Sequence, residues 1–481
     1  MNNRLTSGYF ILLLISVIVV SICYSNVKQD DAFIFFTYAK NISQGNGFVF
    51  NTSEKLNATT SPLYTLLIAL FNFLTGAANS TKIPVIGNLI GFISLWFLVY
   101  YSYKIFSISG LKKASYIFPF LIIANPLIRN SVGMETYFAL MLSIITIYFY
   151  LKGKTDFTAL FGALAILARY DSLLLILVIF IDYIFTNKKL PNIKTMLIFF
   201  CPLLLWFLFS YFYFGNLLPT TLAIKINQQS LGFWGNGLLF IKGFTTSVPG
   251  GAPVFFVLLI ILSAAFIKIL KYDKKFIQKK IFIIILIWSG LYFISYGFIL
   301  NPPPYPWYYT FFIIPFGMIV SVSLEKLFTK IPENYFRVFL ISLFVVGLIL
   351  PVRTFFKPVT PKYLVYHNAA EWLNLNASEE SDVMIDEIGV LGFYYNKGKV
   401  IDLLGLINPH AVTYLQKKNY MGILNYYKPG YLIVDYPKRP EYENFIETRG
   451  FLNSYSPAVI ISGKGKSVEI YHSNETKIIM N

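Results

Sequence analysis

"GYFILLLISVIVVSICYSNVKQDDAFIFF" (Gly8–Phe36) decides the fold class. Its opening run, Gly8 to Tyr24, carries no charge and is long enough to cross a bilayer as one helix. Two adjacent carboxylates, Asp30 and Asp31, follow almost at once. Arg4 precedes the run, so the excess of positive charge predicts a cytoplasmic N-terminus and places the acid pair outside. No small-residue cleavage site of the usual form follows, so the run reads as a retained helix and not as a signal peptide.

Apolar runs of this kind recur along the chain. Of its 481 residues 56% are hydrophobic, 18% aromatic and only 13% charged. Mean hydropathy is +0.61. Backbone groups in lipid must be paired within the chain, so such repetition predicts a mainly α, polytopic transmembrane helical bundle. The formal net charge is +17. The basic residues cluster in links between spans, which makes membrane topology their cause and removes nucleic acid as a partner. Cys23 and Cys201 lie in apolar runs and form neither a disulfide framework nor a zinc spacing.

The links alternate in character. "KGK" (152–154), "NKK" (187–189), "KYDKKFIQKK" (271–280) and "EKLFTK" (325–330) read as cytoplasmic. "GMET" (133–136), "RYD" (169–171), "YFGNLLPTTLAIK" (213–225) and "NPPPYPWYY" (301–309) read as outer. Three apolar segments, 62–76, 82–106 and 116–130, lie between two outer motifs, and three full crossings give the wrong parity. One of them is therefore partial. The segment with Pro119 and Pro126 is a candidate, although Lys112 and Lys113 favour the inside. The expectation is about eleven crossings plus one partial segment.

Composition changes near Arg353, which divides the chain into a transmembrane domain (1–352) and an outer α/β domain (353–481). The latter holds all three histidines, His367, His410 and His472, read as structural. Strand-like "SDVMID", "KVIDLLG", "GYLIVDY" and "SPAVIISG" alternate with helical stretches such as "YLVYHNAAEWLNL". Walker A, G-x-G-x-x-G and HExxH patterns are absent from the sequence.

A membrane protein keeps charges out of its spans unless they have a task or a partner. Asp30, Asp31, Lys40, Arg129, Glu135, Arg169, Asp171 and Lys225 all fall at predicted outer span ends. Acids together with bases at a water–lipid boundary suit a lipid-attached phosphate substrate: arginine grips phosphate at two points, lysine supplies a point charge, and a carboxylate takes a proton from an attacking hydroxyl. Each also has a structural reading. Asp30 can cap the helix that follows it, Glu135 can be a first-turn acid, and Arg169 with Asp171 can be a local pair. Tyr305, Trp307 and Tyr308 can be an interfacial aromatic belt.

The order of "DDAFIFFTYAKN", "GNGFVFN", "TTSPLYTLL", "GMETYFALML", "LARYDSLLLILV", "YFYFGNLLPTTLAIK" and "VIDLLGLINPHAV" resembles that of polytopic GT-C glycosyltransferases, which use polyprenyl-phosphate sugars. Among them it is similar to the mycobacterial terminal β-arabinofuranosyltransferases and related bacterial membrane proteins. Tyr170–Asp171 stand where those relatives often have Pro-Glu, and Thr220 where they have Asn, which bears on substrate identity more than on reaction class. The resemblance implies a GT-C-like fold in a bacterial cytoplasmic membrane, with catalysis on the outer face. It implies Asp30 as general base and Asp31 as its orienting neighbour, or the two roles exchanged. It also implies substrate contacts from Lys40, Glu135, Arg169, Asp171, Lys225, Tyr305, Trp307 and Tyr308, with Arg169 and Lys225 on the donor phosphate. The helix after Asp30 is expected along the membrane surface, its aromatics in the lipid boundary. The partners implied are a polyprenyl-phosphate sugar donor, a glycan, lipid or protein acceptor, and the bilayer. No cofactor is required by the pattern, and a divalent metal is compatible with it. The rivals are a transporter or flippase for lipid-linked sugars and a non-catalytic envelope-assembly subunit.

Overall fold

The computed structural model describes residues 3–52, 54–76, 80–221, 224, 235, 237–247, 251–272, 279–439 and 443–475. Six helices among them are long and apolar enough to cross a membrane: Ile83–Ile108, Tyr170–Asn187, Ile193–Phe214, Lys280–Leu300, Pro306–Thr329 and Glu333–Phe355. Shorter apolar helices include Ser7–Cys23, Thr136–Leu151 and Thr155–Ala168. Their sequences are apolar around most of the circumference, the pattern of helices whose outer faces meet lipid. Ile341, Val345 and Ile349, spaced one turn apart on the last of the six, are all more than half exposed.

The chain forms two compact units. The first comprises Met1–Asn26, Asn88–Trp206 and Gly237–Lys357. At one end of it Lys113 pairs with Glu333 at 2.5 Å, and the Ala114 N–H donates to Glu325 at 2.6 Å. Lys279 donates to the Ser109 carbonyl at the same end. Lys112 and Lys113 thus share an end with the "EKLFTK" link. Of the three segments with conflicting parity, only 83–108 is long enough to span alone. Pro62–Leu74 and Lys112–Ala124 have 13 residues each, about 20 Å of helix against a hydrocarbon core of about 30 Å.

The second unit comprises Val27–Gly87, Phe207–Asn236 and Pro358–Asn481. Its sheet has the order β2-β1-β3-β5-β4, with β1 Val383–Ile385, β2 Val400–Asp402, β3 Tyr431–Tyr436, β4 Tyr455–Gly463 and β5 Lys466–Ser473. The four strands expected from the sequence are present, as is the helix Pro361–Asn376; β5, "KSVEIYHS", is the one not anticipated. β1 pairs in parallel with β2 and β3, while β5 runs antiparallel to β3 and β4. The three parallel strands are buried apolar runs with an aspartate at or next to their ends: Asp386 directly after β1, Asp402 closing β2, and Asp435 just before the exposed Tyr436 that closes β3.

The helix Asp30–Ser43 packs in this unit, and its aromatics face protein, not lipid. Phe33, Phe35, Phe36 and Tyr38 are buried. Phe33 lies edge-on to Phe393 and Phe35 to Tyr64, while Tyr38 packs by Phe48 and donates to the Leu56 carbonyl. The expected lipid-boundary placement is corrected. The apolar face that suits an interface finds a better partner in the Ile388–Tyr394 helix.

Candidate active site

The first feature of the site is how Asp30 is held. The helix begins at Asp30, after an extended Gln29, and the Asp30 side chain does not cap its own helix. Its Oδ2 accepts the Gly389 N–H at 3.0 Å and its Oδ1 the Val390 N–H at 2.9 Å. Those donors open the Ile388–Tyr394 helix. Asp30 is 8% exposed. Burial raises its carboxyl above the ordinary value, while the Lys362 charge and the two N–H groups pull it back down. Asp31, next in the chain, is only partly buried.

Asp30, Asp31 and Glu387 bring carboxylate oxygens within 4.8 Å of one another, a spacing that could hold a metal ion. The group does not fit one well. Lys362 reaches into it, its Nζ 2.5 Å from Glu387 Oε1. Burial disfavours the Lys362 ammonium, but Glu387, Asp30 and Asp31 outweigh that and hold its pKa above the ordinary lysine value. Both Asp30 oxygens already accept a backbone hydrogen bond.

Behind the triad lies a network that sequence reasoning missed. Arg439 pairs with Asp386 at 2.7 Å and also with Asp435, which Lys466 reaches as well. Glu443, 1% exposed, accepts the N–H groups of Asp435 and Arg439. The signal was present in "VMID", "KVID" and "LIVD": three apolar runs, each closed by an aspartate, put acids at the carboxyl ends of parallel strands, where α/β sheets bind ligands. Asp402 has another task. It accepts the N–H groups of Leu404 and Leu406 and donates its own N–H to Asn408 at 2.7 Å. Gly405, at φ +87°, closes this turn where a side chain would strike Val412. "VIDLLGLINPHAV" is therefore a built turn. Thr220 joins it to "LNATT", its N–H and Oγ1 both donating to the Asn57 carbonyl at 3.0 and 3.1 Å.

Of the other expected residues, Lys40 also lies in this unit. Its Nζ donates to the Phe393 carbonyl at 2.9 Å and sits 5.4 Å above that ring. Lys225 lies outside the described residues.

The first unit gathers Glu135, Arg169, Asp171, Tyr305, Trp307 and Tyr308. Arg169 Nη1 donates to Glu135 at 2.6 Å, and Nη2 to Asp171 at 2.7 Å. Nε forks onto both Asp171 oxygens at 3.2 Å. Tyr296 donates to Asp171 at 2.7 Å, and the guanidinium lies 5.9 Å over the Tyr308 ring. Tyr305 stacks on Trp307 at 4.8 Å. Trp307 joins Arg169, Asp171, Thr136 and Trp288 around a small pocket. The arginine fork is filled by two carboxylates, so the cluster carries a net negative charge.

Comparison with solved structures now bears on the whole chain. The crystal structure of ArnT from Cupriavidus metallidurans bound to undecaprenyl phosphate superposes with a TM-score of 0.62 over 99% of this chain and 99% of that one, at 11% identity. The oligosaccharyltransferase of Archaeoglobus fulgidus, in the apo form, superposes with a TM-score of 0.59 over 98% of this chain and 75% of that one, also at 11% identity. The chain has the GT-C fold. That fold accords with the six helices long and apolar enough to cross a membrane and with the small α/β element near the C-terminus. The profile of a family described as a domain of unknown function (DUF8728) matches residues 360–471. Comparison with curated proteins gives no match.

Proposed function

We propose that the protein is a glycosyltransferase. It moves a sugar from a polyprenyl-phosphate donor to a cell-envelope glycan, lipid or protein on the outer face of a bacterial cytoplasmic membrane. The GT-C fold supports the class, and the ArnT structure that shares it holds undecaprenyl phosphate. The observation that carries the reading is the acid pair: Asp30 anchored on two backbone N–H groups beside a more open Asp31.

The geometry favours an exchange of the roles first expected. Asp30 has both oxygens committed, so it serves as the strut. Asp31 is the general base that takes the proton from the acceptor hydroxyl. The acceptor oxygen then bonds to the anomeric carbon, and the carbon–oxygen bond to phosphate breaks. The electron pair leaves on polyprenyl phosphate. General-base assistance of this kind is worth about 10² to 10⁴-fold. Lys40, Glu135, Arg169, Asp171, Lys225, Tyr305, Trp307 and Tyr308 are kept as candidate substrate contacts, with Arg169 and Lys225 for the donor phosphate.

The test is single-turnover transfer by detergent-purified protein from a panel of labelled polyprenyl-phosphate sugars in the presence of membrane acceptors. Consumption of one donor, lost in Asp31→Asn, is expected. Consumption of none, with labelled lipid crossing the bilayer of proteoliposomes intact, would instead make the protein a transporter.

A further inference from the structure

We infer that Lys362 is the resident cation of the Asp30–Asp31–Glu387 triad, standing where a divalent metal would otherwise bind, and that this site works without metal. The triad's oxygens lie within 4.8 Å of one another. Three carboxylates so close do not all ionise unless a positive charge joins them. That charge is already tethered: Lys362 lies in the first turn of the Pro361–Asn376 helix and places Nζ 2.5 Å from Glu387.

The ammonium also has an aromatic neighbour. One turn along the same helix, the fully buried Tyr366 presents its ring 6.0 Å from Nζ. A divalent ion bound to these oxygens at about 2.0–2.5 Å would stand against the ammonium and be repelled by it. Lysine also suits the proposed chemistry: a fixed ammonium balances the clustered acids, with no ion to gain or lose at each turnover.

This inference draws on the glycosyltransferase reading only for its catalytic corollary, and its test is independent of transfer. The signal of free Mn²⁺ in electron paramagnetic resonance is titrated with full-length protein in detergent. Wild-type protein is expected to leave the signal unchanged. Lys362→Met, which keeps the stem and removes the charge, is expected to bind one Mn²⁺ at least ten-fold more tightly than wild type. Adding Glu387→Gln to that variant should abolish the gain. Tight Mn²⁺ binding by wild type that Glu387→Gln removes would overturn the inference. So would a Lys362→Met variant that melts like wild type and gains no Mn²⁺ affinity. Should Lys362→Met fail to fold, the wild-type titration decides, beside Lys362→Arg, which keeps the charge and should bind no Mn²⁺. If the protein transfers sugar, chelation by EDTA should leave its rate unchanged. A chelator-sensitive rate restored by Mn²⁺ would also count against the inference.

Discussion

Gly389 lies against Asp30 so closely that a Cβ on the glycine would stand 2.0 Å from the Asp30 carbonyl oxygen and 2.8 Å from its Oδ2. Backbone cannot yield the way a flexible side chain does. Gly389→Ala should therefore push the two helices apart, costing about 1–3 kcal/mol as overpacking does. A lower melting temperature together with lost transfer is expected. An alanine variant that melts and transfers normally would show that the contact is looser than described.

The acid pair can be separated by amides. Asparagine offers one acceptor oxygen, so Asp30→Asn leaves either Gly389 or Val390 facing an NH₂ group. An unmet buried donor costs about 1–3 kcal/mol, so this variant should lose stability as well as turnover. Asp31→Asn should keep its melting temperature and lose about 10² to 10⁴-fold in rate. Normal transfer by Asp31→Asn would return the base to Asp30.

That contrast marks what the sequence could and could not tell. Apolar runs, the acid pair and four of five strands were legible, because each is set by local pattern. The partner of Asp30 was not. A carboxylate before a helix looks like a cap for that helix, and the real recipients of its hydrogen bonds are two glycine- and valine-borne N–H groups far along the chain. No local signal announces such a pairing. Likewise Arg169, Glu135 and Asp171 were visible as charges beside spans, but the filling of the arginine fork by both acids depends on tertiary packing. The aromatics after Asp30 misled because helix faces that meet lipid and those that meet protein share one composition.

Arg169 is mostly buried, and Glu135 is 2% exposed. Removing one member of a buried ion pair costs about 3–5 kcal/mol. Arg169→Lys keeps a charge but loses the fork, and should lower the melting temperature clearly. If donor KM rises with no change in melting, the guanidinium serves phosphate and not the fold.

Burial raises the carboxyls of Asp402 and Glu443 to about 7. Their folded values lie above the unfolded ones, so the folded state binds more protons between about pH 4 and 7. Their contribution is complete at the acid end of that window and is lost as pH rises through 7. The slope is at most about 1.4 kcal/mol per pH unit for each group. Hydrogen-exchange protection of the turn 402–408, corrected for intrinsic rates, should fall over that range. Asp402→Asn should flatten the dependence, and an unaltered slope would exclude Asp402 as its source.

Lys113 bonds to Glu333, at the end of the first unit shared with Glu325. Single cysteines at Lys113 and Lys188 should react with an impermeant reagent from the cytoplasmic side, and one at the exposed Leu375 from the outer side. With Lys113 inside, Pro62–Leu74 becomes the segment that does not cross. Labelling of Lys113 and Leu375 from one side would break this topology.

The partners of Asp30 lie 359 residues further along the chain. At ordinary rates of synthesis, a ribosome needs roughly 20–70 s to travel that distance of 359 residues. Throughout that interval the nascent protein carries its acid pair without the helix that seats it, while span after span is threaded into the bilayer. A chain stalled between Phe355 and Gly389 therefore holds all six long apolar helices and no assembled acid site. The acid site is thus completed late and in one step, after the membrane helices are made.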